Sequence, residues 1–438
     1  MPKIQQLREV VSRKLGDHGS DLIKNAVLAG GTRAFGMVVG FALLMFVSQR
    51  YGEVGASYFT VPQSLLIVLR IVVSMGLGLA MVRLIAQLPD KERWSRYAAA
   101  LRGVTPVSFG VGFLIVLGAP WIASFVFRNP DLRWPIVAVG IALPFFTITQ
   151  LNAEVARGLR RMVVSGLFRD AGIPFIALVL FLVLLGSSEK GAFYAFAIGC
   201  GVLALISTIH IVRRLRRSRD ESQVQTRQLL QLSLPMMVGE FGIILLGRTD
   251  HIMLEMLGST EDAGVYGVVL RLSGLVLFLP GAVGAIAAPK IAAIFANKDA
   301  AEFRKVALMV ARFMFWSALL PTVIFSVSPG FWLGWFGEGF ERGGFALIIL
   351  CLASLIAAST GFVGSILNMT GSEKFYRNLI IAVFATNIVL NVALIPILEL
   401  QGAALASLVS AVLLNTVAVI HIHRRHGFWL IHIPFWPR

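Results

Sequence analysis

"LSLPMMVGEFGIILLGRTDHIMLEMLG", residues 232–258, reads as most of one long apolar helix, with Arg248, Asp250 and His251 in its second half. A bilayer crossing takes about 20 mostly apolar residues, which this stretch supplies. One charge near the bilayer centre costs about 2.5–3.5 kcal/mol on insertion scales. A helix that carries three such residues must turn them toward a water-filled cavity or a partner helix. The rest of the chain has to provide one or the other.

The composition places the chain in a membrane. Apolar residues make up 57% and charged residues 14%, where a soluble chain carries about a quarter charged. Twelve spans can be drawn, at 26–48, 57–87, 98–127, 133–157, 163–186, 191–213, 229–257, 263–294, 304–329, 343–370, 376–398 and 401–423. The first is too long for a cleaved signal and has no small-residue cleavage site after it, so it is expected to stay. Alternate connections share the Lys and Arg residues very unequally, 25 on the side of the chain ends against five on the other. The positive-inside rule then puts both termini in the cytoplasm. Most of the net charge of +16 is this topology signal, and no nucleic-acid partner is expected. Cys200 and Cys351 lie far apart in apolar spans, with no metal-ligand spacing, and read as packing residues.

The two halves resemble each other. Tyr58 in "GASYFTV" and Tyr266 in "AGVYGVV" occupy matching positions, as do Arg83 and Lys290, Gly158 and Gly371, and Gly191 and Gly402. The offsets stay near 208, which indicates a duplication of six spans. Six is even, so the repeats are parallel, related by an axis along the membrane normal. The expected architecture is all-α, with twelve transmembrane helices in two six-helix lobes around a central V-shaped cavity. Its parts are an interfacial N-terminal segment (1–24), an N-lobe (25–213), a cytoplasmic linker (214–228), a C-lobe (229–424) and a cytoplasmic tail (425–438). The tail, with His421, His423 and His426 just before or within it, reads as aromatic and basic anchoring rather than a metal site.

No P-loop, HExxH, paired CxxC or nucleophile elbow is present, and neither enzyme activity nor a cofactor is expected. "NMT" at Asn368 fits a glycosylation pattern but falls on the inferred cytoplasmic side. What carries chemistry is a set of arginines at membrane depth: Arg33, Arg70, Arg248, Arg271 and Arg312. Arg83, Arg102, Arg169 and Lys290 lie nearer the interface, where long side chains reach water along the helix. Four acids could act as counterions: Glu154, Glu240, Asp250 and Glu255. Asp250 is two residues from Arg248, about 200° around the helix, and cannot share its face. Glu255 shares the face but lies about 10 Å along the axis. A hydrated, net cationic cavity follows, and with it an anionic substrate. Glu154, Glu240 and Asp250 are candidates for ion coupling or gating.

"LPMMVGEFGIILLGRTDHIML", "AGVYGVVLRL", "GAIAAPKIAAIFANKD" and "NMTGSEKFYRNLIIAVFATNIVLNVALIPILELQGAALASLVS" resemble the polysaccharide-exporter branch of the multidrug/oligosaccharidyl-lipid/polysaccharide (MOP) superfamily, the Wzx-type flippases. The resemblance covers nearly the whole chain and is stronger in its second half. It implies a V-shaped pair of lobes in a bacterial inner membrane. It also implies a substrate of oligosaccharide on a polyprenyl diphosphate, moved between leaflets by alternating access for O-antigen or exopolysaccharide synthesis. Membrane lipids and the polysaccharide polymerase machinery are the implied partners. Cationic residues on spans 1, 2, 7 and 8 are usual substrate contacts in that family, and Arg33, Arg70, Arg248 and Arg271 fall on those spans. Three alternatives stay open: a lipid II flippase, a MATE-type drug exporter using buried acids, and a membrane-embedded glycan polymerase or ligase.

Overall fold

The computed structural model describes residues 2–185, 188–216, 226–297 and 299–432. Side chains are described from Leu28 onward, apart from positions 29, 185, 235, 236, 238–240, 285, 286 and 289. The side chains of segment 1–24, residues 217–225 of the linker, the Glu240 carboxylate and the tail beyond 432 therefore lie outside the described residues.

The described chain is helical throughout, with no strand. Its first half comprises α1 (Pro2–Ser74), α2 (Leu77–Gln87), α3 (Asp90–Trp121), α4 (Arg133–Gly158), α5 (Met162–Gly166), α6 (Gly172–Leu180) and α7 (Gly191–Leu215). The second comprises α8 (Thr226–Leu246), α9 (Thr249–Leu257), α10 (Thr260–Gly274), α11 (Phe278–Ala296), α12 (Ala300–Val327), α13 (Pro329–Gly334), α14 (Gly344–Ser359), α15 (Val363–Met369) and α16 (Glu373–His426). Among the described residues nine helical stretches are long and apolar enough to cross a membrane. The chain is a multi-pass membrane protein.

Two of those stretches are double. The 73 residues of α1 would reach about 110 Å if straight, over three times the hydrocarbon thickness. The helix instead reverses at Gly52, whose φ of 64° is one that glycine adopts without a Cβ clash. Arg271 proves the reversal, because it donates to both the Gly40 carbonyl and the Gln63 side chain. A straight helix would hold those two groups about 35 Å apart. In α16 the break is at Glu399, φ 49° and ψ −126°, inside the expected gap between the last two spans. The expected connection at 49–56 is thus a tight helical reversal, not a loop.

Four expected spans are interrupted, that at 343–370 between Ser359 and Val363, where Gly361 has a φ of 66°. The span at 57–87 breaks at Met75 and Gly76, both at positive φ. The span at 263–294 passes through a 3₁₀ turn at Leu275–Leu277. The opening stretch is not one helix either, since it stops at Leu246 and restarts at Thr249. There the Arg248 N–H bonds the Leu245 carbonyl at 3.0 Å, three residues back, and the helix resumes from the Arg248 carbonyl. Glycine in a helix interior costs about 1 kcal/mol against alanine, and Gly247 supplies the weak point.

The helices of each half pack mainly among themselves: α3, α4, α6 and α7 in the first, and α11, α12, α14 and α16 in the second. The halves meet where the second limb of α1 lies along α10. Gly264 faces the Glu53 carbonyl, Gly267 faces Thr60, and Arg271 reaches Gln63. The two series rise together, and Arg271 and Gln63 are 208 residues apart, the offset of the repeat. Equivalent helices therefore pack in parallel, as an axis along the membrane normal requires. The small residues let the backbones approach closely, and the largest buried apolar cluster, with Phe59, Tyr58, Val269 and Tyr266, crosses this seam.

Candidate functional site

The candidate site is built around this seam. Arg271, near the end of α10, donates to the Gly40 carbonyl at 2.6 Å and to Gln63 Oε1 at 2.5 Å. Its guanidinium lies over the Phe59 ring, 5.5 Å from the centroid. Gly40 and Gln63 are thus level with Arg271 on the two limbs of α1. Arg33 precedes Gly40 by seven residues on the rising limb, and Arg70 follows Gln63 by seven on the returning one. Both consequently sit about 10 Å from Arg271 toward the end of the molecule opposite Gly52. Arg33 is exposed and crosses to the second half, lying 5.9 Å from the Phe278 ring centroid.

Arg248 stands at the helix break, one turn before His251. His251 meets Ser64 Oγ at 3.0 Å and the Ala263 carbonyl at 3.0 Å, which brings Arg248 near the level of Arg271. The two guanidinium groups lie within electrostatic reach of each other. Among the described residues Arg33, Arg248 and Arg271 form no ion pair within 4 Å with a carboxylate. The break also directs the N-terminus of α9 here, which adds positive dipole charge.

Of the acids, Asp250 acts electrostatically on Arg248 without an ion pair, while Glu255 and Glu154 are held elsewhere. Asp250, 1% exposed, sits in the first turn of α9 and accepts from Tyr266 Oη at 2.5 Å, Ser407 Oγ at 2.5 Å and the His251 N–H at 2.9 Å. It joins α9 to α10 and to the last limb of α16. Glu255 does not serve the arginines. It accepts from Ser57 at 2.7 Å, Thr260 at 2.9 Å and Asn129 at 3.3 Å, bridging the halves nearer the Gly52 end. Glu154 pairs with Arg157 at 2.6 Å and approaches Arg169 at 3.9 Å, within the first half.

Arg312 departs from expectation. It is exposed on the outer face of α12, among the exposed Met309, Phe313 and Trp316, and beside the tail rather than the seam. Its depth along the helix was legible, but its face was not, because a lipid-facing surface is as apolar as a helix–helix contact.

Two groups escape a sequence reading. Gln63 is an ordinary polar residue until the repeat offset places it opposite Arg271. At the Gly52 end, Arg342 binds Glu53 at 2.7 Å and Asp262 at 3.0 Å. All three lie at span ends, where charge is ordinary.

Seam, helix breaks and parallel packing of equivalent helices describe a multi-pass membrane protein built of two like halves. Residues 24–295 match the family described as "Polysaccharide biosynthesis protein", and the chain belongs to that family. The probable flippase AglR of Haloferax volcanii is 30% identical over 176 residues, 39% of this chain, a match that spans about a third of the relative's length (36%). Among solved structures, the lipid II flippase MurJ in an inward closed conformation superposes with a TM-score of 0.71 at 12% identity, over 90% of this chain and 87% of that one. The MATE multidrug transporter DinF-BH gives 0.69 at 16% identity, over 92% and 95%. A MOP-superfamily transporter from Pyrococcus furiosus, whose binding pocket is described as of reverse polarity, gives 0.61 at 15% identity, over 92% and 96%. At these identities the likeness is one of fold.

Proposed function

We propose that the chain is a flippase that moves oligosaccharide carried on a polyprenyl diphosphate across a bacterial inner membrane, by alternating access, for O-antigen or exopolysaccharide synthesis. One observation carries this reading: guanidinium groups from both halves gather along the seam, and among the described residues Arg33, Arg248 and Arg271 form no ion pair within 4 Å with a carboxylate, Asp250 acting on Arg248 only from a longer range. A diphosphate supplies the missing anion, and forked guanidinium donors suit its oxygens. The glycan then occupies the space between the lobes while the prenyl chain stays in the bilayer. Family membership and the flippase relative support the same reading. A cation exporter that works through buried acids fits less well, because Asp250 and Glu255 are saturated with hydrogen-bond donors.

The proposal includes twelve spans, obtained by dividing the two double stretches and adding 226–257, in lobes 25–213 and 229–424. It also places both termini in the cytoplasm. Single-cysteine variants at Ser188 and Ser218 test the topology: an impermeant maleimide added to intact cells labels the first and spares the second. Labelling at Ser218 contradicts it. For function, deletion of the gene strands lipid-linked glycan on the cytoplasmic leaflet and lowers surface polysaccharide. Normal surface glycan combined with new drug sensitivity rejects the proposal in favour of drug export.

A further inference from the structure

A second feature lies on the outer face of the second half, away from the seam. Beyond α16 the chain turns at Gly427 and folds back on its own bundle. Phe428 and Leu430 are buried, and the His432 N–H bonds the Ser359 carbonyl at 2.8 Å. The His432 ring meets Phe315 edge-on at 5.3 Å and lies 6.2 Å from Trp316. Trp429 stacks on His423 at 4.0 Å. This strap closes one side of a cavity of about 570 Å³, whose other walls come from α12, α14 and α16.

The lining is mostly apolar, with Phe315, Leu355 and Val419 among its walls. Of its polar groups, Thr360 and Asn415 are engaged with each other, and the buried His432 Nε2 has no partner among the described residues. Thr360 donates to Asn415 Oδ1 at 2.8 Å, and Asn415 donates to the Ala411 carbonyl at 2.8 Å. Such a cavity suits a hydrocarbon chain better than water. At its edge stands Arg312, one turn before Phe315 and Trp316 and so on their face. It is exposed and acts electrostatically on His432. Among the described residues no carboxylate pairs with it within 4 Å. It lies seven residues, about 10 Å, deeper along α12 than Lys305. A cation at that depth on a lipid-facing surface needs an anion that the bilayer can bring to it.

We propose that this cavity is a binding site for an anionic phospholipid of the bilayer, with its phosphate on Arg312 and an acyl chain between the strap and α12, α14 and α16. The lipid fastens the strap to the bundle. Occupancy is independent of the substrate at the seam.

The test uses the purified full-length chain in detergent micelles doped with phosphatidylglycerol or phosphatidylcholine, with retained lipid counted by native mass spectrometry. The wild type keeps phosphatidylglycerol about fivefold better than phosphatidylcholine, the preference expected of one basic side chain near a charged headgroup. Arg312→Gln, a change at an exposed position, abolishes the preference. Thr416→Trp, which fills the cavity from its wall, lowers retention of both lipids. If that variant fails to fold, Arg312→Gln alone decides. Equal retention of the two lipids by the wild type, or an undiminished preference in Arg312→Gln, overturns the proposal. Displacement of phosphatidylglycerol by undecaprenyl phosphate also overturns it, by assigning the cavity to a prenyl carrier.

Discussion

The seam between the halves has two differently built regions. At the Gly52 end the charges are compensated across it, with Arg342 bridging Glu53 and Asp262, and Glu255 taking three donors. At the centre, Arg271 is held by a carbonyl, an amide and an aromatic face, and Arg33 by an aromatic face. Among the described residues neither forms an ion pair within 4 Å with a carboxylate. The first arrangement is complete in itself and holds the halves together at one membrane end. The Gly52 end of the seam is thus closed by paired charges, while its cations lie deeper along it.

The largest expected effect comes from removing a central cation. Arg248→Ala abolishes surface-glycan export in a deletion strain at matched membrane abundance, because the substrate loses a charge-assisted contact, worth about 1.5–3 kcal/mol. Arg248→Lys restores export in part, keeping the charge and losing the fork. Full export by Arg248→Ala would erase the contrast between centre and end.

At the compensated end the effect is smaller. Arg342 is 41% exposed in its side chain, and solvent screening limits such pairs to about 1 kcal/mol or less. Arg342→Ala therefore shifts the balance toward the state open at the Gly52 end by up to about fivefold. Cysteine accessibility at that end reads the shift, and unchanged accessibility would show that the bridge does not hold the halves. The smallest effect is expected at Asp250. Tyr266→Phe removes one of its donors and lowers thermal stability by about 0.6 kcal/mol, the average scale of hydrogen bonds between membrane helices. Transport persists, since Asp250 keeps Ser407 and the His251 N–H.

Much of this was legible in the sequence, and for physical reasons. The all-helical membrane class follows from apolar length, and the parallel relation of the halves from an even repeat. Depth singled out Arg33, Arg70, Arg248, Arg271 and Arg312 together, without telling which of them stand at the seam. Hydropathy could not show the breaks at Met75–Gly76, at Gly247 and at Leu275–Leu277, because a broken helix is as apolar as a whole one. Nor could it assign Arg312 to a face, since Phe313 and Trp316 look like core residues whether lipid or protein covers them. The Arg342 bridge joins residues far apart in the chain, and nothing local announces it.

The central claim is that the seam's arginines bind a diphosphate. Its most direct test is the affinity of the purified chain for undecaprenyl diphosphate, compared with a variant carrying Arg33→Gln, Arg248→Gln and Arg271→Gln and checked for an unchanged helical spectrum. The account predicts a loss of about tenfold or more for each guanidinium that contacts the diphosphate, and a wild-type affinity that falls as salt rises. Equal affinity in the two proteins would contradict it.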